Sequence, residues 1–338
     1  AVAALPALTL CVSASARQHD ARPAVEAAQA GILELLATHN FFDASLGYSL
    51  DHTPCRGLVA TRSAMLVHAL IMACWRDSNE GSLLVLALAA PPNGHTLSRL
   101  CGLLDGLVST GLAISDAGPP HPHLVDSLMT AILLALGSLC GAARPYGRAA
   151  HPSEKLCKRD VVQSLGCGLA IAAGLSHESR EVQPCEKRRA AARLLASLLR
   201  SDCEQPNDSI STTAEPHHAV AEALAQSGLV GVAAACLTDD DAIIRADAVD
   251  AFTVLSTYAL REDRDVALGA AALGDNLSRG IVASDAAAKH SSSGCTPELV
   301  PLRATIAVEK ALQALGAACC RGGVAARDAV AFSTGCAG

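Results

Sequence analysis

The sequence predicts an all-α chain, a stack of about five three-helix units joined by long polar insertions, and three observations carry that prediction. The first is composition. Hydrophobic residues make up 51% of the 338 residues but aromatics only 2%, so a core must be built from Ala, Leu, Val and Ile at close quarters, which suits helix against helix. The second is a recurring pattern. From Arg245, offsets of three, six, seven and ten residues fall on Ala248, Ala251, Phe252 and Leu255, which share one face of an α-helix. The same offsets from Ser63, Met129, Arg188 and Thr305 also meet small or apolar residues, and the five anchors lie 66, 59, 57 and 60 residues apart. One such match means little in an Ala/Leu-rich chain; five at a nearly constant interval mark a repeat. The third is a glycine in the apolar segment upstream of each anchor, able to end one helix and release the next at a sharp angle.

In chain order, the first unit covers about residues 20–75. It opens with VEAAQAGILELL around Gly31 and closes with a long helix bearing Leu66, Ala69, Leu70 and Ala73. The second, 95–141, pairs LSRLCGLLDGLV (Gly102, Gly106) with Ile132, Ala135, Leu136 and Leu139. The third, 158–200, pairs VVQSLGCGLAIAAGL (Gly166, Gly168) with Ala191, Leu194, Leu195 and Leu198. In the fourth, 217–260, AEALAQSGLVGVAAACL (Gly228) precedes the Arg245 helix, and in the fifth, 265–320, LGDNLSRGIV (Gly280) precedes Val308, Ala311, Leu312 and Leu315. Residues 321–338 read as a tail, and 1–338 as a single domain. Between the apolar segments lie breaks rich in Pro, Ser, Asn and Asp, such as SDAGPPHPHLVD, SDCEQPNDSISTTAEPHH and SDAAAKHSSSGCTPE, read as insertions. Thr296-Pro297 is placed to start a helix, with a capping hydroxyl followed by proline at the first position.

Residues 219–257 resemble an armadillo repeat: a short helix ending at Ser227-Gly228, an apolar second helix through Leu237, an acidic connection, and a long third helix. DAIIRADAVDAF is similar to the related HEAT pattern, with Asp241, Ile244 and Arg245 in place of that family's Asp and Val-Arg. The units here are near 60 residues, longer than the family's roughly 40, so the excess falls in the insertions. The resemblance implies a right-handed α-solenoid whose third helices line a concave groove for peptides or folded proteins. Importin-type carriers hold their peptides with a Trp at anchor plus five and an Asn at anchor plus nine. Here those positions hold His68, Leu134, Arg193, Asp250 and Lys310, and Met72, Ser138, Ser197, Val254 and Ala314, so that ladder is absent. The groove residues expected to meet a protein partner are His68, Met72, Arg193, Ser197, Asp250, Val254 and Lys310. The insertions at 40–61 and 199–218 form a rival surface.

The remaining chemistry reads as structural. Lysine and arginine number 26 against 33 acids, a net charge of −7 with charges dispersed, which disfavours a nucleic-acid partner. An RNA-binding solenoid would need a basic face with stacking aromatics. The 14 cysteines form no C-x-x-C and sit as small hydrophobes in helical patterns, which points to a reducing compartment. Asp239, Asp240 and Asp241 lack the alternating ligands and glycine of a calcium loop and suit a helix N-terminus. His121, His123, His217 and His218, with Cys185 or Cys203, are the loop residues a zinc site would draw on, and they have no second pair at ligand spacing nearby. They define the alternative of a metal-dependent or thiol enzyme. SHESRE at 176–181 lacks the second histidine of a zincin helix, and no phosphate-binding or nucleophile-elbow motif is present. No catalytic residue, metal or cofactor is assigned.

The first sixteen residues carry no charge and end in small residues, like a secretory core. They lack a basic leader, so a first helix is expected instead of a signal. The uninterrupted apolar runs fall short of the roughly 20 residues a bilayer needs, and no membrane partner is expected. The reading is a non-catalytic interaction scaffold or adaptor, a cytoplasmic subunit of a larger assembly, with a cytoskeletal or axonemal one as the setting suggested by analogy.

Overall fold

The computed structural model describes residues 4–18, 20, 22–32, 54–74, 95–113, 122–142, 185–199, 221–261, 263–292 and 297–333, and every regular element among them is helical. The chain divides into two compact units, Ala1–Gly168 and Leu169–Gly338.

The first unit contains α1 (Ala4–Arg17), α2 (Arg22–Gln29), α3 (Pro54–Cys74), α4 (His95–Ala113) and α5 (Pro122–Ala142). Helix α3 is its hub, packed against α1 and α5, while α4 packs on α5. The predicted faces of both long helices are buried: Leu66, Ala69, Leu70 and Ala73 on α3, and Ile132, Ala135, Leu136 and Leu139 on α5. The expected first helix is α1, with Leu5 and Val12 buried. Helix α5 contains an 18-residue stretch, His123–Cys140, of mean hydropathy 1.7, long and apolar enough to cross a membrane. In this fold 61% of that stretch is buried inside the protein.

Gly31 follows α2 with φ of 88°, the left-handed turn expected there. Gly102 and Gly106 were expected to break the chain, but α4 runs through both. Leu100, Leu103, Leu104 and Leu107 keep helical spacing and are buried. At roughly 1.5 to 3 kcal/mol per buried leucine, that burial outweighs a glycine penalty of about 1 kcal/mol each.

The second unit contains α6 (Cys185–Leu199), a π turn (Ala225–Leu229) leading into α7 (Val230–Cys236), then α8 (Ala242–Tyr258), α9 (Arg264–Ser278) and α10 (Ile281–Ser292). A 3-10 turn (Pro297–Leu299) opens α11 (Val300–Arg321), and α12 is Gly323–Ser333. Two rows result: α6 packs on α8 and α8 on α11, while α7 packs on α9 and α9 on α12. Three of the predicted long helices are therefore lateral neighbours. Ala191, Ala248 and Ala251 are buried at these approaches, as is the ring of Phe252. Gly228 (φ 84°) and Gly280 (φ 69°) supply the turns assigned to them. Buried Asn276 donates its side-chain N–H to the carbonyl of Leu237 at 2.9 Å, tying the end of α9 to the end of α7.

Two expectations are corrected here. The polar composition from Ser284 predicts an insertion, yet as far as Ser292 the segment is helix α10, packed on α8 and α11. Its Val282 and Ala286 are buried, and Asp285 and Lys289 turn inward to ionic partners on α8. On α11 the predicted stripe is rotated: Ala311, Ala314 and Ala318 are buried, whereas Leu312 is 56% exposed. The insertion expected at 40–61 gives way to helix α3 from Pro54 onward, while its residues 40–53, residues 200–218 of the one at 199–218, and Gly166, Gly168, Trp75 and Thr296 lie outside the described residues.

Candidate interaction surface and its charged support

The acidic run before α8 caps that helix. Asp241 accepts the backbone N–H groups of Ile243 at 2.9 Å and Ile244 at 3.1 Å through one carboxylate oxygen, satisfying two of the four donors a helix start leaves open. Its other oxygen receives Arg189 of α6, whose Nε donates at 3.0 Å. The Arg189 guanidinium, then the Ile244 and Ile243 amides, hold the Asp241 carboxyl at about 2, against the upward pull of partial burial. Asp239 accepts the Asp241 amide at 2.9 Å and lies 3.3 Å from Arg188 Nε. A cation would have to displace these donors, so the run is filled by the fold itself.

The charges continue across α8. Arg245 makes a bidentate pair with Asp285 of α10, Nε and Nη2 each donating at 2.7 Å, and its Nη1 donates to the carbonyl of Asp239 at 2.7 Å. Lys289, one turn further along α10, meets Asp247 and donates to Asp250 at 3.2 Å. Asp247 and Asp285 are buried. Such partly buried pairs add little net stability over apolar packing, but losing one partner strands a charge in low dielectric and is costly. The network thus fixes which helices meet, joining α6 to the start of α8 and α8 to α10.

The predicted groove residues are placed as follows. In the first unit His68 and Met72 are half-buried, and His68 Nδ1 is hydrogen-bonded to Ser138 on α5. The Ser138 hydroxyl donates to the carbonyl of Leu134 at 2.7 Å, leaving its oxygen to accept from the imidazole. His68 at anchor plus five therefore meets anchor plus nine of the next long helix. In the second unit Arg193 on α6 is exposed, Ser197 is buried, and Asp250 on α8 is half-buried beneath Lys289. Val254 on α8 and Lys310 on α11 are half-buried. The solvent-facing part of the second-unit strip is thus Arg193, with Val254 and Lys310 partly open.

No group of three or more His, Cys, Asp or Glu side chains comes together as a metal site among the described residues. His123 is exposed on α5, and His121, His217, His218 and Cys203 lie outside the described residues. Cys185 Sγ lies 3.6 Å from Asp241 Oδ2, and burial pushes the Cys101 and Cys236 thiols up to about 12.

Sequence reasoning missed Asp285 and Lys289. The signal available was their spacing, acid and base four residues apart on one helix face, inside a segment too polar to read as packed. Comparison with protein-family models, curated proteins and solved structures finds no match.

Proposed function

We propose that the chain is a non-catalytic protein–protein interaction scaffold or adaptor, an armadillo/HEAT-like right-handed α-solenoid of about five repeats serving as a structural subunit of a larger cytoplasmic assembly. The observation that carries this reading is the row α6–α8–α11. Three helices sharing one sequence pattern pack side by side, and the first two are joined by Arg189–Asp241. Helices packed in a row offer a partner an extended surface without loop ordering, which lowers the entropic cost of binding. A cytoskeletal or axonemal assembly remains an analogy from the resemblance.

The test is affinity capture with the full chain from its native source, partners identified by mass spectrometry. Arg193→Glu, at the exposed position of the strip, with Lys310→Glu, at a partly open one, should weaken the captured complex and lower stability by at most about 1 kcal/mol, since charges open to solvent contribute little. A complex that tolerates both reversals but is lost on deleting residues 204–214 moves the function to the insertions. Stoichiometric zinc in the purified chain, lost on replacing His121, His123, His217 or His218, would replace the scaffold by the enzyme reading.

A further inference from the structure

Helix α10 is held on its neighbours more by charge than by apolar contact. Of its 12 residues only Val282, Asp285 and Ala286 are buried, whereas α8 buries nine of 17, among them Ile244, Phe252 and Leu255. Its polar links are specific. Asp285 takes Nε and Nη2 of Arg245 at 2.7 Å each, while Lys289 joins Asp247 and donates to Asp250 at 3.2 Å. Buried ion pairs select which groups meet but add little net stability, because desolvation offsets most of the attraction. A helix this short is marginal in water by itself, and Ser284, His290, Ser291 and Ser292 are weak helix formers. Helix α10 is therefore helical because it is docked.

Its docking place is part of the surface offered to a partner. It packs on α8 and α11, two of the three helices of the row, and Lys289 sits on Asp250, a residue of the expected groove strip. We propose that α10 is a displaceable occupant of that surface: it undocks and melts as a unit while α8 stays folded, and the uncovered Arg245, Asp247 and Asp250 take a partner helix bearing an acid and, four residues further on, a lysine or arginine. The undocking stands on the second unit alone; the exchange for a partner rests on the scaffold reading above. Helix α11 keeps α8 and α9 as neighbours when α10 leaves, so the row survives.

The charge pattern defines the partner. Without α10, α8 presents one cation, Arg245, and about one turn further on the carboxylates of Asp247 and Asp250. A segment lacking either counter-charge leaves one of these stranded in a half-buried site. The spacing of Asp285 and Lys289 puts both on one helix face, so a helix with the same spacing reproduces the clasp.

Hydrogen exchange of the full chain, read by mass spectrometry on fragments from each helix, tests the undocking. Amides of Ile281–Ser292 should exchange at least about tenfold faster than those of Ala242–Tyr258, the signature of a sub-global opening. Ser284→Gly with Ala288→Gly alters two exposed positions away from the clasp; the lost helix propensity should speed α10 about tenfold and leave α8 unchanged. The binding probe is the α10 segment itself, a labelled IVASDAAAKHSS peptide followed by fluorescence anisotropy. It competes with a tethered copy at an effective concentration of about 1 mM, and apparent affinity follows the open fraction. The glycine variant should therefore be half-saturated at about 0.1 mM chain, a concentration about tenfold below that for the wild type. A peptide with the Asp and Lys exchanged should bind neither chain. Helices α10 and α8 exchanging at one rate, or speeding up together in the glycine variant, would overturn the proposal, because α10 then opens only with the whole unit. So would a peptide that binds both chains equally or neither, or a charge-exchanged peptide that binds as well; the scaffold reading is decided separately by its capture experiment.

Discussion

Gly269→Ala tests the approach of α9 to α8 at one atom. A methyl group at Gly269 would lie 2.2 Å from Cε2 and 2.5 Å from Cζ of the Phe252 ring, against an optimum of about 3.5–4.0 Å between carbons. The ring must retreat by more than about 1 Å, and it has nowhere to go because Phe252 is fully buried. Overpacking of this kind costs about 1–3 kcal/mol. With the ring unable to retreat, the cost falls in the upper half of that range, about 2–3 kcal/mol; alanine recovers about 1 kcal/mol of helix propensity, so the net is a destabilisation of about 1–2 kcal/mol. In a unit of this size that lowers the melting temperature by about 2–8 °C. The control is Gly316→Ala, where the added methyl meets no heavy atom within 4 Å and propensity alone should stabilise by about 0.5–1 kcal/mol. Urea and thermal unfolding followed by far-UV circular dichroism read both variants. Phe252→Leu in the Gly269→Ala background should recover part of the loss, because the two sites touch and their effects are coupled. Wild-type stability in Gly269→Ala, or failure of Phe252→Leu to couple, would refute the packing of α8 on α9.

The charged network gives a second test. Arg245→Met should cost about 2–4 kcal/mol by stranding the Asp285 carboxylate, and Arg245→Met with Asp285→Leu should cost much less than the sum of the single changes, as read by a double-mutant cycle in urea. For pH, the Asp241 carboxyl is lowered to about 2 from an unfolded value near 3.9, so its contribution is complete above about pH 4 and lost as pH falls toward 2. Arg189→Gln removes the first cause of that shift and should move the onset of acid unfolding to higher pH. Alkylation of the native chain near pH 7.5 should reach exposed Cys11 and Cys320 well before Cys101 and Cys236, whose thiols are pushed up to about 12, and unfolding should abolish the difference. Ala248→Phe, at a site 1% exposed, should destabilise by about 1–3 kcal/mol, measured by the same thermal melts.

What the sequence disclosed and what it hid follow from how each interaction is encoded. The faces of α3, α5, α6 and α8 were legible because burying a helix imposes a period, and Leu66, Ile132, Leu194 and Phe252 carry it. Asp241 was legible as a cap because capping is local, decided within three residues of the helix start. Gly31, Gly228 and Gly280 were read correctly as turns, while Gly102 and Gly106 were not, since glycine permits a positive φ without requiring one and the neighbouring leucines decide. Helix α10 was hidden because Asp285 and Lys289 look solvated until Arg245 and Asp247, about 40 residues away in sequence, are brought opposite them. A long-range ion pair leaves no period in either partner. The same reasoning explains α11. Its sequence repeats the pattern of α8, but a pattern shows only which face can be buried, and the number of neighbours decides which face is. With α8, α9 and α10 on one side and Leu302 and Leu312 turned away from them, α11 carries apolar residues on two faces and satisfies one.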